Sequence, residues 1–213
     1  MESWVADALD PVKTTVLVVD VQNDFCAPEG CFARQGMRID AGRRILAPLA
    51  LLLDSARSHG AQPVYLRFVE DPPGHVISPA YDRQRYRAGE ALRYCVDDWG
   101  RAIVPEVAPR PREAVVDKVR ASGFFNTALD TILRCRGVTT ILLTGMATES
   151  CVLATAIDAT ARDYYVVLVT DCLASFSSER HAAALAILEH KHPAVTADEL
   201  MTFWQRRAKG DGG

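Results

Sequence analysis

No stretch of this chain approaches the ~18 consecutive apolar residues that mark a membrane-spanning helix, although hydrophobic residues make up 49% of its 213 positions. Charge of one sign is equally scarce. Twenty-four Lys and Arg against 27 Asp and Glu leave a net charge of −3, which gives no electrostatic reason to expect nucleic acid or an anionic membrane as a partner. The N-terminus, Met1-Glu2-Ser3-Trp4-Val5-Ala6-Asp7, lacks both a basic and an apolar region, so no signal peptide is expected. The six cysteines are then read as reduced thiols in a cytoplasm rather than as a disulfide framework. Cys26 and Cys31 have no paired Cys or His motif at zinc spacing, which argues against structural zinc. Repeats, low-complexity tracts and interdomain linkers are also missing, and residues 1–213 are expected to form one domain.

What the chain does contain is a series of apolar, β-branched runs, at 14–19, 63–69, 114–117, 139–144 and 164–170, with a weaker one at 194–196. Helical patterns lie between most of them. From Ile39 to His59, Ile45, Leu46, Leu49, Leu52 and Leu53 recur at helical spacing and Gly60 marks the stop. Further helices are predicted from Thr127 to Arg136, Glu149 to Asp163 and Ser178 to His190. Strands alternating with helices predict an α/β fold of three layers, a parallel sheet covered by helices on both faces. The segment 71–113 breaks the alternation with Pro72, Pro73, Gly74, Pro79, Gly89, Pro105, Pro109 and Pro111 and with Tyr81, Tyr86, Tyr94 and Trp99. A connection of that length is read as a lid or binding loop. Its Arg83, Arg85, Arg87 and Arg93 would either attract an anion or form a solvated or subunit-contact face. The end of the chain, 208–213, is expected to be disordered.

Three of the predicted strands end in a chemically suggestive residue. Thr139-Thr140-Ile141-Leu142-Leu143-Thr144 runs into Gly145-Met146-Ala147-Thr148-Glu149-Ser150-Cys151-Val152. Thr148 is read as the N-cap of a helix, with Cys151 in its first turn. Free N–H groups and the helix dipole there favour a low thiol pKa and could hold an oxyanion; a small buried core residue is the alternative. The opening strand ends in Asp20, where open α/β sheets place their active sites. Lys118 ends the run from Val115. Alone, it would be a snorkelling surface charge.

Together these segments carry a resemblance. D-V-Q-N-D-F at 20–25, D-K-V-R-A-S-G-F-F-N-T-x-L-D at 117–130 and T-G-M-A-T-E-S-C-V at 144–152 resemble, in order and spacing, the isochorismatase-like cysteine hydrolase superfamily. The resemblance implies a Rossmann-like sheet of six parallel strands and a triad of Asp20, Lys118 and Cys151. It also implies a cis peptide just before Ala147 and an oxyanion hole from the N–H groups of Ala147 and Cys151. Gln22, Phe25, Arg120 and Glu149 are the candidate substrate contacts. Nicotinamidase members bind a metal through an Asp-x-His motif and a second His after the second strand. Here Arg67 to His75 contains a single His, so no metal or other cofactor is expected. The second motif is most similar to ureidoacrylate and biuret amidohydrolases, with Glu149 where those relatives commonly have Asn.

The expected activity is hydrolysis of the C–N bond of a small linear amide, a ureido or carbamoyl compound, by a homo-oligomer (dimer or tetramer). N-carbamoyl amino acids or a nicotinamide-like amide remain alternative substrates. Two other function classes stay open. One is a non-catalytic small-molecule binding protein on the same fold; the other is a redox-sensing thiol with Cys172 as resolving partner.

Overall fold

The computed structural model describes residues 8–70, 78–85 and 93–210. Six parallel strands form one sheet: β1 (Thr14–Val19), β2 (Val64–Phe68), β3 (Ala114–Lys118), β4 (Thr140–Met146), β5 (Tyr165–Ala174) and β6 (Ala194–Val195). Their order is β3-β2-β1-β4-β5-β6, the Rossmann-like order. Every residue of β1 and β4 is buried, as expected for central strands covered on both faces. The pleat sends alternate β1 residues to opposite sides. Val16 and Val18 pack with Leu49, Leu52 and Leu53 of the Leu46–His59 helix and with Leu200 and Trp204 of the Ala197–Ala208 helix. Leu17 and Val19 pack with Leu129 and Leu133 of the Leu129–Cys135 helix, Ala156 of the Leu153–Thr160 helix and Leu188 of the Ser178–Glu189 helix. The three-layer α/β/α expectation holds.

Several boundaries differ from the sequence reading, each for a local reason. The predicted 39–59 helix is two helices, Asp40–Arg44 and Leu46–His59. Pro48 has no N–H to offer the Arg44 carbonyl and its ring crowds it. The Ala197–Ala208 helix was not anticipated, although Thr196 and Glu199 form a reciprocal capping box at its start. β5 runs four residues beyond its expected end and contains Cys172. Of the 71–113 segment, residues 71–77 and 86–92 lie outside the described residues, and so do 211–213 of the expected tail. The described part of the segment includes the Pro79–Arg85 helix and a stretch packed beneath the exit of β1. There the Asp24 carboxylate accepts hydrogen bonds from the Cys31 and Cys95 amides, at 2.9 and 2.6 Å.

β1 and β4 lie side by side at the centre of the sheet, where the strand order reverses, and this opens a crevice beyond their C-terminal ends. Their close approach needs a glycine. Gly145 pairs with Val19 at φ +101°, and a Cβ there would meet the Val19 carbonyl oxygen at 2.1 Å. Gly145→Ala should therefore lower unfolding free energy by roughly 2–4 kcal/mol, from strain and overlap together. Gly137→Ala, at φ +66° with open space around it, should lose only the left-handed penalty of about 1–2 kcal/mol. Urea unfolding of the two variants checks the difference; equal losses would show that β4 yields without cost.

Candidate active site

Asp20 follows β1 with φ +52°, a conformation Asp tolerates better than most residues. Lys118 ends β3, and the two strands are separated by β2. Lys118 nevertheless reaches across the end of β2. Its Nζ donates to Asp20 Oδ2 at 2.7 Å and to the Arg120 carbonyl at 3.2 Å, and it lies 5.3 Å from the centroid of the Phe68 ring. The lysine is 1% exposed and the aspartate 2%, so the snorkelling alternative does not apply. Among the described residues, Asp20 Oδ1 is buried with no hydrogen-bond partner.

The Met146–Ala147 peptide at the end of β4 is cis, as the resemblance implied. The turn that follows differs from the expected α-helix start. Thr148–Val152 is a π-helical turn with Ala147 as its N-cap, and the α-helix proper begins at Leu153. The Val152 and Ser150 amides both donate to the Ala147 carbonyl. Thr148 does not cap; its hydroxyl donates to the Ala174 carbonyl at the end of β5, at 2.8 Å. Cys151 sits on this turn, half-buried, at a cavity of about 330 Å³ that Asp20, Ala147 and Glu149 also line.

Electrostatics here depart from the sequence reading. Burial pushes the Cys151 thiol up to about 12; Lys118 opposes the shift and Asp20 adds to it. The expected lowering by a helix start is outweighed by desolvation. Burial likewise raises Asp20 above the ordinary carboxylate range, against the pull of Lys118 and Cys151. Lys118 is held charged: burial works against its proton, but the neighbouring Asp20 and Cys151 raise its pKa overall. At neutral pH the resting site is thus a protonated thiol beside a buried ammonium.

The four candidate substrate contacts divide. Phe25 and Glu149 line the cavity. Glu149 Oε2 is buried and, among the described residues, accepts no hydrogen bond. Gln22 does not line the cavity. It is fully buried, donating to the Phe68 and Arg101 carbonyls at 2.8 and 2.9 Å and accepting from the Phe68 amide at 2.7 Å, so its hydrogen bonds hold the frame. Arg120 is also absent from the lining, but its guanidinium stacks 4.0 Å from the Tyr81 ring, which is part of it. Residues that sequence reasoning did not select complete the wall: Phe32, Phe176 and Arg180. Phe25, Phe32, Tyr94 and Phe176 form one cluster of ring contacts, with Phe32 4.7 Å from Phe176 and 5.1 Å from Tyr94. No local periodicity links these four segments, although the tyrosines of the long connection were a partial signal. Among the described residues Arg180 has no ion-pair partner, whereas Arg93 is engaged by Glu70 and Asp82. Cys172 packs in the core on the opposite face of the sheet from the residues around Cys151, so it is not placed as a resolving partner. No group of three metal-ligating side chains occurs among the described residues; Asp71 and His75 lie outside them.

The raised thiol sets a pH dependence. Alkylation of Cys151 by iodoacetamide should keep rising from pH 7 through pH 10, with no plateau near the ordinary thiol pKa of about 8.5. Lys118→Ala should slow it further at every pH by removing the cation that favours the thiolate. Site-resolved mass spectrometry measures both; a plateau below pH 8 would show that the thiol is activated at rest.

Comparison with known proteins bears on this geometry. The Isochorismatase domain family matches residues 14–199. The ureidoacrylate amidohydrolase RutB of Methylobacterium radiotolerans is 34% identical over 194 residues, 85% of this chain and 75% of that protein. Among solved structures, a cysteine hydrolase from Pseudomonas syringae pv. phaseolicola superposes with a TM-score of 0.79 at 27% identity, covering 92% of this chain and 93% of its own. An isochorismatase-like hydrolase from Alkaliphilus metalliredigens gives 0.74 at 29% identity, covering 90% and 99%. With nearly the whole sheet and the residues at its C-terminal edge inside the matched region, the chain belongs to the isochorismatase family of hydrolases.

Proposed function

We propose that the protein is a metal-independent cysteine amidohydrolase that cleaves the C–N bond of a small ureido or carbamoyl compound through a thioester on Cys151. The observation that carries this reading is the buried Lys118–Asp20 pair, whose carboxylate residue lines the same cavity as the half-buried Cys151. The likeness to ureidoacrylate amidohydrolases supports the substrate class. The chain after β2 offers one histidine, His75, where a metal site would need more.

The protonation states dictate the order of events. A thiol held protonated by burial is a poor nucleophile until a base removes its proton. Asp20, with a raised pKa, takes that proton as sulfur bonds to the substrate carbonyl carbon. Lys118, still charged, offsets the negative charge that passes through the site. The carbonyl oxygen becomes an oxyanion held by the N–H groups of Ala147 and Cys151. Collapse breaks the C–N bond, and the protonated Asp20 gives its proton to the departing nitrogen. Water, deprotonated by the same carboxylate, then adds to the thioester; the thiolate leaves and recovers the proton.

Specificity follows from the unused polar groups. The free Glu149 Oε2 can accept from a ureido N–H, because an ionised carboxylate only accepts. Arg180 at the same cavity offers a donor fork to a carboxylate. A ureido acid satisfies both.

Two outcomes test the reading. Cys151→Ser should reduce ammonia release by about 10³-fold or more while leaving thermal unfolding unchanged, since an alkoxide is far harder to form than a thiolate. Intact-mass analysis of the native enzyme with a slow substrate should show an acyl adduct on Cys151. Appreciable turnover by the serine variant would sink the nucleophile assignment. Glu149→Asn should reorder kcat/KM among ureidoacrylate, biuret, N-carbamoyl amino acids, nicotinamide and simple amides. If that ranking stays the same, Glu149 only complements the dipole of its helix.

A further inference from the structure

Behind the turn that carries Cys151 lies a histidine with no part in the chemistry above. His181 belongs to the Ser178–Glu189 helix, and its Nδ1 is 2.9 Å from the Thr148 hydroxyl. Thr148 is completely buried. A threonine hydroxyl has one proton to donate, and here the Ala174 carbonyl, which can only accept, lies at 2.8 Å. The proton is therefore committed to Ala174, and the contact with His181 is favourable only when Nδ1 carries a hydrogen and donates to Thr148. Burial lowers the His181 pKa, which favours the neutral ring, and the contact geometry assigns its proton to Nδ1. Thr148 is in this way tied to both the end of β5 and the Ser178–Glu189 helix.

Its place in the chain gives that tie a consequence. Thr148 directly follows Ala147 and lies three residues before Cys151, within a turn where the Ser150 and Val152 amides donate to the Ala147 carbonyl and the Leu153 amide to the Thr148 and Ser150 carbonyls. A π-helical turn is an uncommon conformation, often found at functional sites. Among the hydrogen bonds of the described side chains, those of Thr148 are what join this turn to β5 and to the Ser178–Glu189 helix. Building on the proposed thioester chemistry, we infer that His181 is a positioning residue. Its Nδ1–H holds Thr148, and through it the turn that presents the Ala147 N–H and the Cys151 thiol. A shift of about 1 Å in such a constellation is enough to cost about a hundredfold in rate.

The test uses His181→Leu, which removes the donor, and His181→Asn, which returns an N–H at nearly the Nδ1 position. Thr148→Val serves as the partner deletion. In His181→Leu and Thr148→Val, kcat should fall by about tenfold or more with KM within about twofold, since the cavity wall is kept. His181→Asn should recover most of the loss. A purely structural histidine would lower Tm in the leucine variant yet leave kcat per folded molecule at the native value; that result overturns the inference, and so does an Asn variant as slow as Leu. If no amide proves to be a substrate, the proposed chemistry fails separately, and the rate of Cys151 alkylation by iodoacetamide decides. A rate changed in His181→Leu and restored in His181→Asn upholds the positioning role, whereas three equal rates overturn it.

Discussion

The buried ion pair between Lys118 and Asp20 is the constraint around which the sheet's C-terminal edge is arranged. Taking two charges out of water costs several kcal/mol per ion, which their attraction offsets only when geometry is good and further hydrogen bonds assist. Here the contact is 2.7 Å, the ammonium has a second acceptor in the Arg120 carbonyl, and the Phe68 ring lies beneath it. Asp20 Oδ1 is left over. An arrangement made for stability alone would satisfy that oxygen. In the proposed reaction it is the acceptor through which Asp20 would take a proton from Cys151 without surrendering Lys118.

Keeping that pair in place is the work of the residues around Asp20 in the D-V-Q-N-D-F stretch. Gln22 exchanges hydrogen bonds with both the amide and the carbonyl of Phe68, fixing the end of β2 over which Lys118 passes. Asn23 donates to the Trp99 carbonyl, and Asp24 receives the Cys31 and Cys95 amides. Gly100 lies so close that a Cβ there would be 2.4 Å from the Asp24 carboxylate. The stretch thus contains two residues facing the cavity, Asp20 and Phe25, and three that join β1 to β2 and to segments far away in sequence. Similar residue types in one short motif carry different duties, and only the three-dimensional partners separate them.

That separation explains what could and could not be read in advance. The central strands were legible because burial on both faces leaves an uninterrupted apolar run, and strand ends marked Asp20, Lys118 and the Cys151 turn. The Ala197–Ala208 helix was overlooked even though its Thr196–Glu199 capping box is a local signal. β6 has only two residues and offers almost no pattern. The fate of Pro48 follows from one missing N–H, which a periodicity reading of leucines ignores. Gln22 was read as a ligand contact because an amide is suited to either task; its partners, 46 and 79 residues away, decide. Phe32, Tyr94, Phe176 and Arg180 converge on the cavity from separate elements, and no short-range spacing records that convergence.

At the thiol, local placement and burial act in opposite directions. A cysteine near a helix start invites the inference of a low pKa, but that effect belongs to a solvated thiol whose anion the dipole can favour at little desolvation cost. Cys151 stands on a π-turn beside Asp20, so burial and a neighbouring carboxylate both favour the protonated form. Reactivity must then be coupled to substrate binding. In the proposed reaction, a ligand that fills the cavity and presents a carbonyl would give the negative charge a place to move, from sulfur to an oxygen facing backbone donors. Until such a ligand arrives, the half-buried sulfur stays in its less reactive form, because thiolate character governs alkylation and oxidation alike. On the proposed mechanism, the same desolvation that raises the thiol would confine its chemistry to the occupied site.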